Sequence, residues 1–167
     1  SALGASALRR SLAERPPRRI LLMARSHVGD LVMTTGAIAS IVSRFRGAHI
    51  TLETSSGASG VVDHFPGIDE RHHFHGLFWG HLASILWVRR SHFDLAIGLG
   101  DQNARVRVAA RGGVPRVVGV RTADPAPRFL ASVRWDPDGH DLFDALRGVL
   151  ALLDADGDVR PRLYPGD

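Results

Sequence analysis

The residues best suited to chemistry stand in one short segment, residues 25–30, where Arg25, Ser26, His27, Gly29 and Asp30 follow an apolar run and open a helical one. A carboxylate at Asp30 lying within ~3 Å of a hydroxyl could take its proton while the hydroxyl attacks an activated carbon. Read from composition alone, an aspartate at a helix start is a cap, and the residue type leaves both readings open. Ser26 and His27 could hydrogen-bond a ligand or satisfy the amides of their own turn. Gly29 lets a ligand approach the backbone closely. That single glycine excludes the dinucleotide fingerprint, which needs spaced glycines to admit a pyrophosphate.

Farther along, Arg105 and Arg107 near a helix start could clamp phosphates, although a helix arginine is more often a solvated charge. Arg121 falls just past a strand, at the same sheet end. His72, His73, His75 and His81 only loosely resemble a metal site, having no carboxylate at helical spacing, and are not assigned one. Trp79 and Trp87, two turns apart, could form an exposed patch for a membrane or a second domain; core packing is the favoured account.

For residues 25–30 to act, the chain must place them at the mouth of a sheet. The run 19–24 is short, apolar and bounded by Pro-Pro and Ser-His, which predicts a strand buried on both faces. From Gly29 the apolar residues recur at helical spacing until Gly47. Strand-like runs follow at 48–54, 71–74, 93–99 and 116–120, separated by helical patterns at 57–65, 77–90 and 103–111. Five strands alternating with helices predict an α/β fold, a Rossmann-like parallel sheet with helices on both faces. Ligands of such sheets bind outside the carboxyl ends of the strands, where residues 25–30 would lie. Residues 122–138 are proline-rich and read as a loop, 140–153 as a last amphipathic helix.

With 167 residues the chain is sized for one domain, and 44 % hydrophobic with 23 % charged residues is a globular composition. Domain organisation reads as an N-terminal tail or surface helix over 1–17, a Rossmann-like domain over 18–156 and the start of a linker over 157–167. The absence of cysteine excludes a disulfide framework and thiolate chemistry. No early apolar run has signal-peptide length, so a cytoplasmic protein is expected. All 21 cations are arginines, and the pI of about 11 owes more to arginine's own pKa than to the net charge of +4. The arginines are spread along the chain, so nucleic acid is not the expected partner, while a phosphate or carboxylate partner is.

The run from Arg18 to Ile38, with its His-Val-Gly-Asp turn and Thr-Thr-Gly-Ala-Ile helix, resembles the opening of glycosyltransferase family 9, the heptosyltransferase family. The likeness continues through Phe45-Arg-Gly-Ala, Phe65-Pro-Gly-Ile-Asp-Glu, Phe93-Asp-Leu, Pro115-Arg-Val-Val-Gly and the helix over 140–153, and thus covers nearly the whole chain in order. Gly36 departs from the family's usual proline, and Gly98 from a polar residue that often ends the fourth strand.

The resemblance implies the N-terminal, acceptor-binding half of a two-domain GT-B fold, with Asp30 at the position of the family's proposed base. It implies inverting, metal-independent transfer of heptose or a similar sugar, and no cofactor. The donor, an ADP-heptose-like nucleotide sugar, would be held by a C-terminal domain that this chain lacks, so the chain alone would be inactive. Ser26, His27, Gly29, Arg105 and Arg121 would bind the acceptor, an anionic or lipid-linked glycan, which implies peripheral contact with the inner membrane face. A different class of function, a non-catalytic binding or assembly module, shares the same fold.

Overall fold

Within the run Arg19–Met23 (β1), successive side chains turn to opposite faces: Ile20 and Leu22 enter one buried layer, Leu21 and Met23 the other. A strand apolar on both sides needs helices on both sides, and the computed structural model supplies them. It describes residues 2–24, 27–73, 78–100, 103–121, 130–135, 141–155 and 157–164.

The elements after β1 are α2 (Val28–Arg44), β2 (His49–Thr54), a 3₁₀ turn (Ser56–Val61), β3 (Glu70–His73), α3 (Phe78–Ser91), β4 (Leu95–Gly98), α4 (Asn103–Arg111), β5 (Val117–Arg121), β6 (Ala131–Arg134) and α5 (Leu142–Leu152), and α1 (Ala2–Glu14) precedes them. All strand pairs are parallel, and the order across the sheet is β3-β2-β1-β4-β5-β6. Helices α1, α2 and α5 pack on one face, through Leu8, Leu31, Ile38, Ile41, Leu146 and Leu150. Helices α3 and α4 cover the other, through Val88, Val106 and Ala109. Each such buried leucine, isoleucine or valine stabilises the fold by roughly 1.5–3 kcal/mol.

The sheet has six strands where the sequence pattern predicts five, because β6 lies inside the stretch read as a loop. Its residues, Ala-Ser-Val-Arg, go from buried Ala131 through half-buried Ser132 and Val133 to exposed Arg134, as an edge strand can, and so carry no apolar run. The N-terminal segment is a helix built into the core: Leu8 and Leu12 are buried, and the Arg116 guanidinium donates to the carbonyl oxygens of Ser11 (3.2 Å), Arg15 (2.7 Å) and Asp94 (3.0 Å).

Residues 157–164 have no regular structure, yet they dock along α2. The Ser40 hydroxyl donates to the Asp158 carbonyl (3.4 Å), the backbone of Val159 and Arg160 lies over Gly36, and the Arg162 amide donates to the Thr35 hydroxyl (2.8 Å). Tyr164 then packs edge-on against Phe65, with ring centroids 4.7 Å apart. The segment therefore runs antiparallel to α2, toward that helix's N-terminal end.

Gly98 and Gly119 are register partners in β4 and β5, and a Cβ on Gly119 would stand 2.9 Å from the Gly98 Cα. The close strand approach thus requires glycine at 119, while a Cβ on Gly98 would find ordinary contacts of 3.4 Å and more, so the packing does not account for the departure at 98.

Candidate functional site

Strand order reverses direction between β1 and β4, so the crevice of this sheet opens outside the carboxyl ends of those two strands. Ala24 and Leu99 directly follow them there, and the Ala24 amide donates to the Glu53 carbonyl of β2 (3.0 Å) and the Leu99 amide to the Met23 carbonyl of β1 (3.0 Å). The chain returns into the described structure at His27, which is extended (φ −95°, ψ 145°) and is the N-cap of α2. Its carbonyl accepts the Leu31 amide at 2.8 Å, while its ring makes no capping hydrogen bond.

His27, Val28 and Gly29 are exposed, Val28 by 50 %, and a Cβ on Gly29 would meet nothing within 4 Å. Asp30 follows, partly buried, as the third residue of α2 and the acidic residue of its first turn. The cap position therefore belongs to His27, and Asp30 stands within the first turn of the helix, where the N-terminal end of the helix dipole favours its negative charge. Ser26 lies outside the described residues.

Arg105 does not stand in solvent. It is 4 % exposed, reaches from α4 under the sheet edge, and donates from Nη1 to the Ala24 carbonyl at 2.9 Å, with its Nε 3.8 Å from Glu53 Oε2. Glu53, at the end of β2, is 3 % exposed. Burial pushes its carboxyl above the usual range against the pull of Arg105, and burial likewise lowers the Arg105 guanidinium against the pull of Glu53. Arg105 is thereby tied to Ala24 at the end of β1 and is buried, where the sequence reading allows a solvated charge or a phosphate clamp. Glu53 escaped sequence reasoning; a lone acid ending an apolar strand was its only signal.

Arg121 ends β5 at the same edge of the sheet and pairs in register with Arg134 of β6, a second cation that the loop reading of 122–138 hid. Arg107 is exposed on α4. Among the histidines, His72 stacks on Trp87 with ring centroids 3.6 Å apart, and Trp87 meets Phe93 edge-on at 5.4 Å, so Trp87 is a packing residue. His75 and the Trp79 side chain lie outside the described residues. Among the described residues, no three His, Cys, Asp or Glu side chains gather as a metal site, and no helix is long and apolar enough to cross a membrane.

Comparison with solved structures shows where this fold recurs. A family 9 glycosyl transferase from Veillonella parvula superposes with a TM-score of 0.67 at 20 % identity, over 90 % of this chain and 45 % of that one. An ADP-heptose lipopolysaccharide heptosyltransferase II from E. coli gives 0.63 at 18 % identity, over 78 % of this chain and 39 % of its own. An E. coli heptosyltransferase with ADP gives 0.59 at 12 % identity, over 87 % and 49 %. At these identities the likeness is one of fold, and this chain spans less than half the length of each. No family model and no curated protein matches the sequence.

Proposed function

We propose that this chain is the N-terminal, acceptor-side half of a GT-B glycosyltransferase that moves heptose or a similar sugar from a nucleotide sugar to an anionic or lipid-linked glycan. The observation that carries the reading is Asp30 in the first turn of α2, beside exposed His27 and Gly29, at the carboxyl edge of β1. The likeness to a family 9 glycosyl transferase supports it. In this reading an acceptor hydroxyl attacks the anomeric carbon in one step, the bond to the nucleotide diphosphate breaks, the configuration inverts, and Asp30 receives the proton. Ser26, His27 and Gly29 line the acceptor site, Arg121 meets its negative charge with Arg134 beside it, and Arg105 holds the turn through Ala24. No metal or cofactor is called on.

The donor site belongs to a second domain. Residues 157–164, running along α2 toward its N-terminal end, would deliver that domain to the face where Asp30 stands. By itself the chain would bind acceptor without turning over. A lipid-linked acceptor would hold it at the cytoplasmic face of the inner membrane.

The test is a fusion to the nucleotide-sugar domain of one of the solved heptosyltransferases, assayed with ADP-heptose and a heptose-free lipopolysaccharide core. Turnover that falls about 10²–10⁴-fold in Asp30→Ala is expected. Turnover indifferent to that substitution would refute the assignment of Asp30, and glycan binding without any turnover would favour the binding module.

A further inference from the structure

The two faces of the sheet differ in charge. Helices α3 and α4 hold Arg89, Arg90, Arg105, Arg107 and Arg111 and not one Asp or Glu, whereas α1, α2 and α5 mix Glu14, Asp30 and Asp144 with their arginines. Arg105 turns inward; Arg89, Arg90, Arg107 and Arg111 are exposed. Asp94, the carboxylate that follows α3, accepts from the backbone amides of Arg18 (2.8 Å) and Arg19 (3.0 Å). Its charge is thereby turned toward the start of β1.

The same layer exposes apolar side chains. Leu82 and Leu86, one turn apart on α3, are 53 % and 44 % accessible, while Ser84 and Val88 between and beyond them are buried. Helix α3 thus presents Leu82, Ala83, Leu86, Arg89 and Arg90 on its outer side, and α4 packs alongside it with Arg107 and Arg111 outward. A polyanion would engage the arginines and leave the leucines in water. An apolar protein surface would cover the leucines and leave four cations without partners. An anionic lipid surface satisfies both, because apolar side chains enter the boundary below the headgroups while flanking arginines meet acidic headgroups.

We propose that the α3–α4 layer is a docking face for anionic lipid, with Leu82 and Leu86 as the inserted residues and Arg89, Arg90, Arg107 and Arg111 as the headgroup contacts. The proposal gives a face to the membrane contact suggested above, but it rests on the charge and exposure of this layer alone and stands whether or not the cleft transfers sugar.

The chain is mixed with vesicles of phosphatidylcholine alone and of equal parts phosphatidylcholine and phosphatidylglycerol, and binding is read by sedimentation across a salt series. Binding to the anionic vesicles should be at least about tenfold tighter and should weaken with salt. Arg89→Glu with Arg90→Glu should cost at least about tenfold. Leu82→Ser with Leu86→Ser should cost several-fold while the salt dependence stays. All four residues are exposed, so unchanged thermal melts establish that the variants fold, and should one pair fail to fold, the other pair still decides. Equal binding to both vesicles, no binding to either, or a leucine variant that binds like the parent overturns the proposal. None of these outcomes bears on sugar transfer, which the fusion measures separately.

Discussion

Gly36 of α2 lies directly beneath the carbonyl oxygen of Arg160, so close that a Cβ at position 36 would overlap it. One turn later the contact is reversed: Gly157 sits over Ser40, and a Cβ on the glycine would overlap the Ser40 hydroxyl. Two glycines on opposite partners thus let an irregular backbone segment lie flat on a helix. Gly36→Ala therefore sets two effects against each other. Helix propensity alone would gain about 1 kcal/mol, while overpacking against a backbone costs about 1–3 kcal/mol. We expect the second to win, with net destabilisation in urea melts and faster amide exchange over residues 157–164. A stabilised variant would mean that the segment is not held against α2.

The Glu53–Arg105 pair makes a prediction with a sign. Burial raises the Glu53 carboxyl above 4.5, so the fold binds a proton there more tightly than the unfolded chain does. The stability this contributes is complete below the unfolded value and is lost as pH rises through the raised folded value. Urea denaturation should therefore show a loss of stability across that window, which Glu53→Gln flattens. A parent stability that instead rises with pH through the same window would show that the attraction of Arg105 outweighs burial. At neutral pH, Arg105→Met leaves Glu53 buried without its cation and should cost about 3–5 kcal/mol.

The fold was legible where burial is two-sided. Strands such as β1, apolar at every position from Ile20 to Met23, announce themselves, and the helix over 103–111 matches its pattern at both ends. The edge strands are a different case. β3 is Glu-Arg-His-His and shows in the sequence only as a short irregular run, and β6, Ala-Ser-Val-Arg, hid within a proline-rich stretch, since an edge strand needs one apolar side at most. Around the candidate site, the end of β1 and the start of α2 could be read because an apolar run and the onset of helical spacing are local signals. The environment of Arg105 could not, because its partners Ala24 and Glu53 come from other strands, and a helix arginine looks the same in sequence whether it is solvated or buried. The docking of 157–164 also left no periodic trace, as its contacts run largely through the backbone.

The glycine pair in the sheet is equally open to test. Gly119→Ala would bring a methyl group to 2.5 Å from the Gly98 carbonyl oxygen and 2.9 Å from its Cα and N, all backbone atoms with nothing flexible to yield. Strand β5 would have to move away from β4, at a cost of about 1–3 kcal/mol or more. Gly98→Ala meets only Val106 Cγ2 at 3.4 Å and other atoms at 3.9 Å, and should be much milder. Thermal melts of the two variants, ranked in that order, check the asymmetry; a reversed order would contradict the close approach.

Arg116 makes the last prediction, because one buried side chain joins the N-terminal helix to the sheet. Its guanidinium donates to the Ser11 carbonyl, which also takes the Arg15 amide at 3.0 Å, to the Arg15 carbonyl just past the end of α1, and to the Asp94 carbonyl before β4. Hydrogen bonds from a charged donor contribute roughly 1.5–3 kcal/mol, so Arg116→Met should destabilise the protein by at least that much. The loss should not be uniform. Leu8 and Leu12 keep α1 on the α5 side, so exchange should speed first at the C-terminal turn of α1 and spread to β6 and α5 only as the leucines release. Hydrogen exchange that accelerates equally in α1 and in β1 would instead show that α1 unfolds only together with the whole domain.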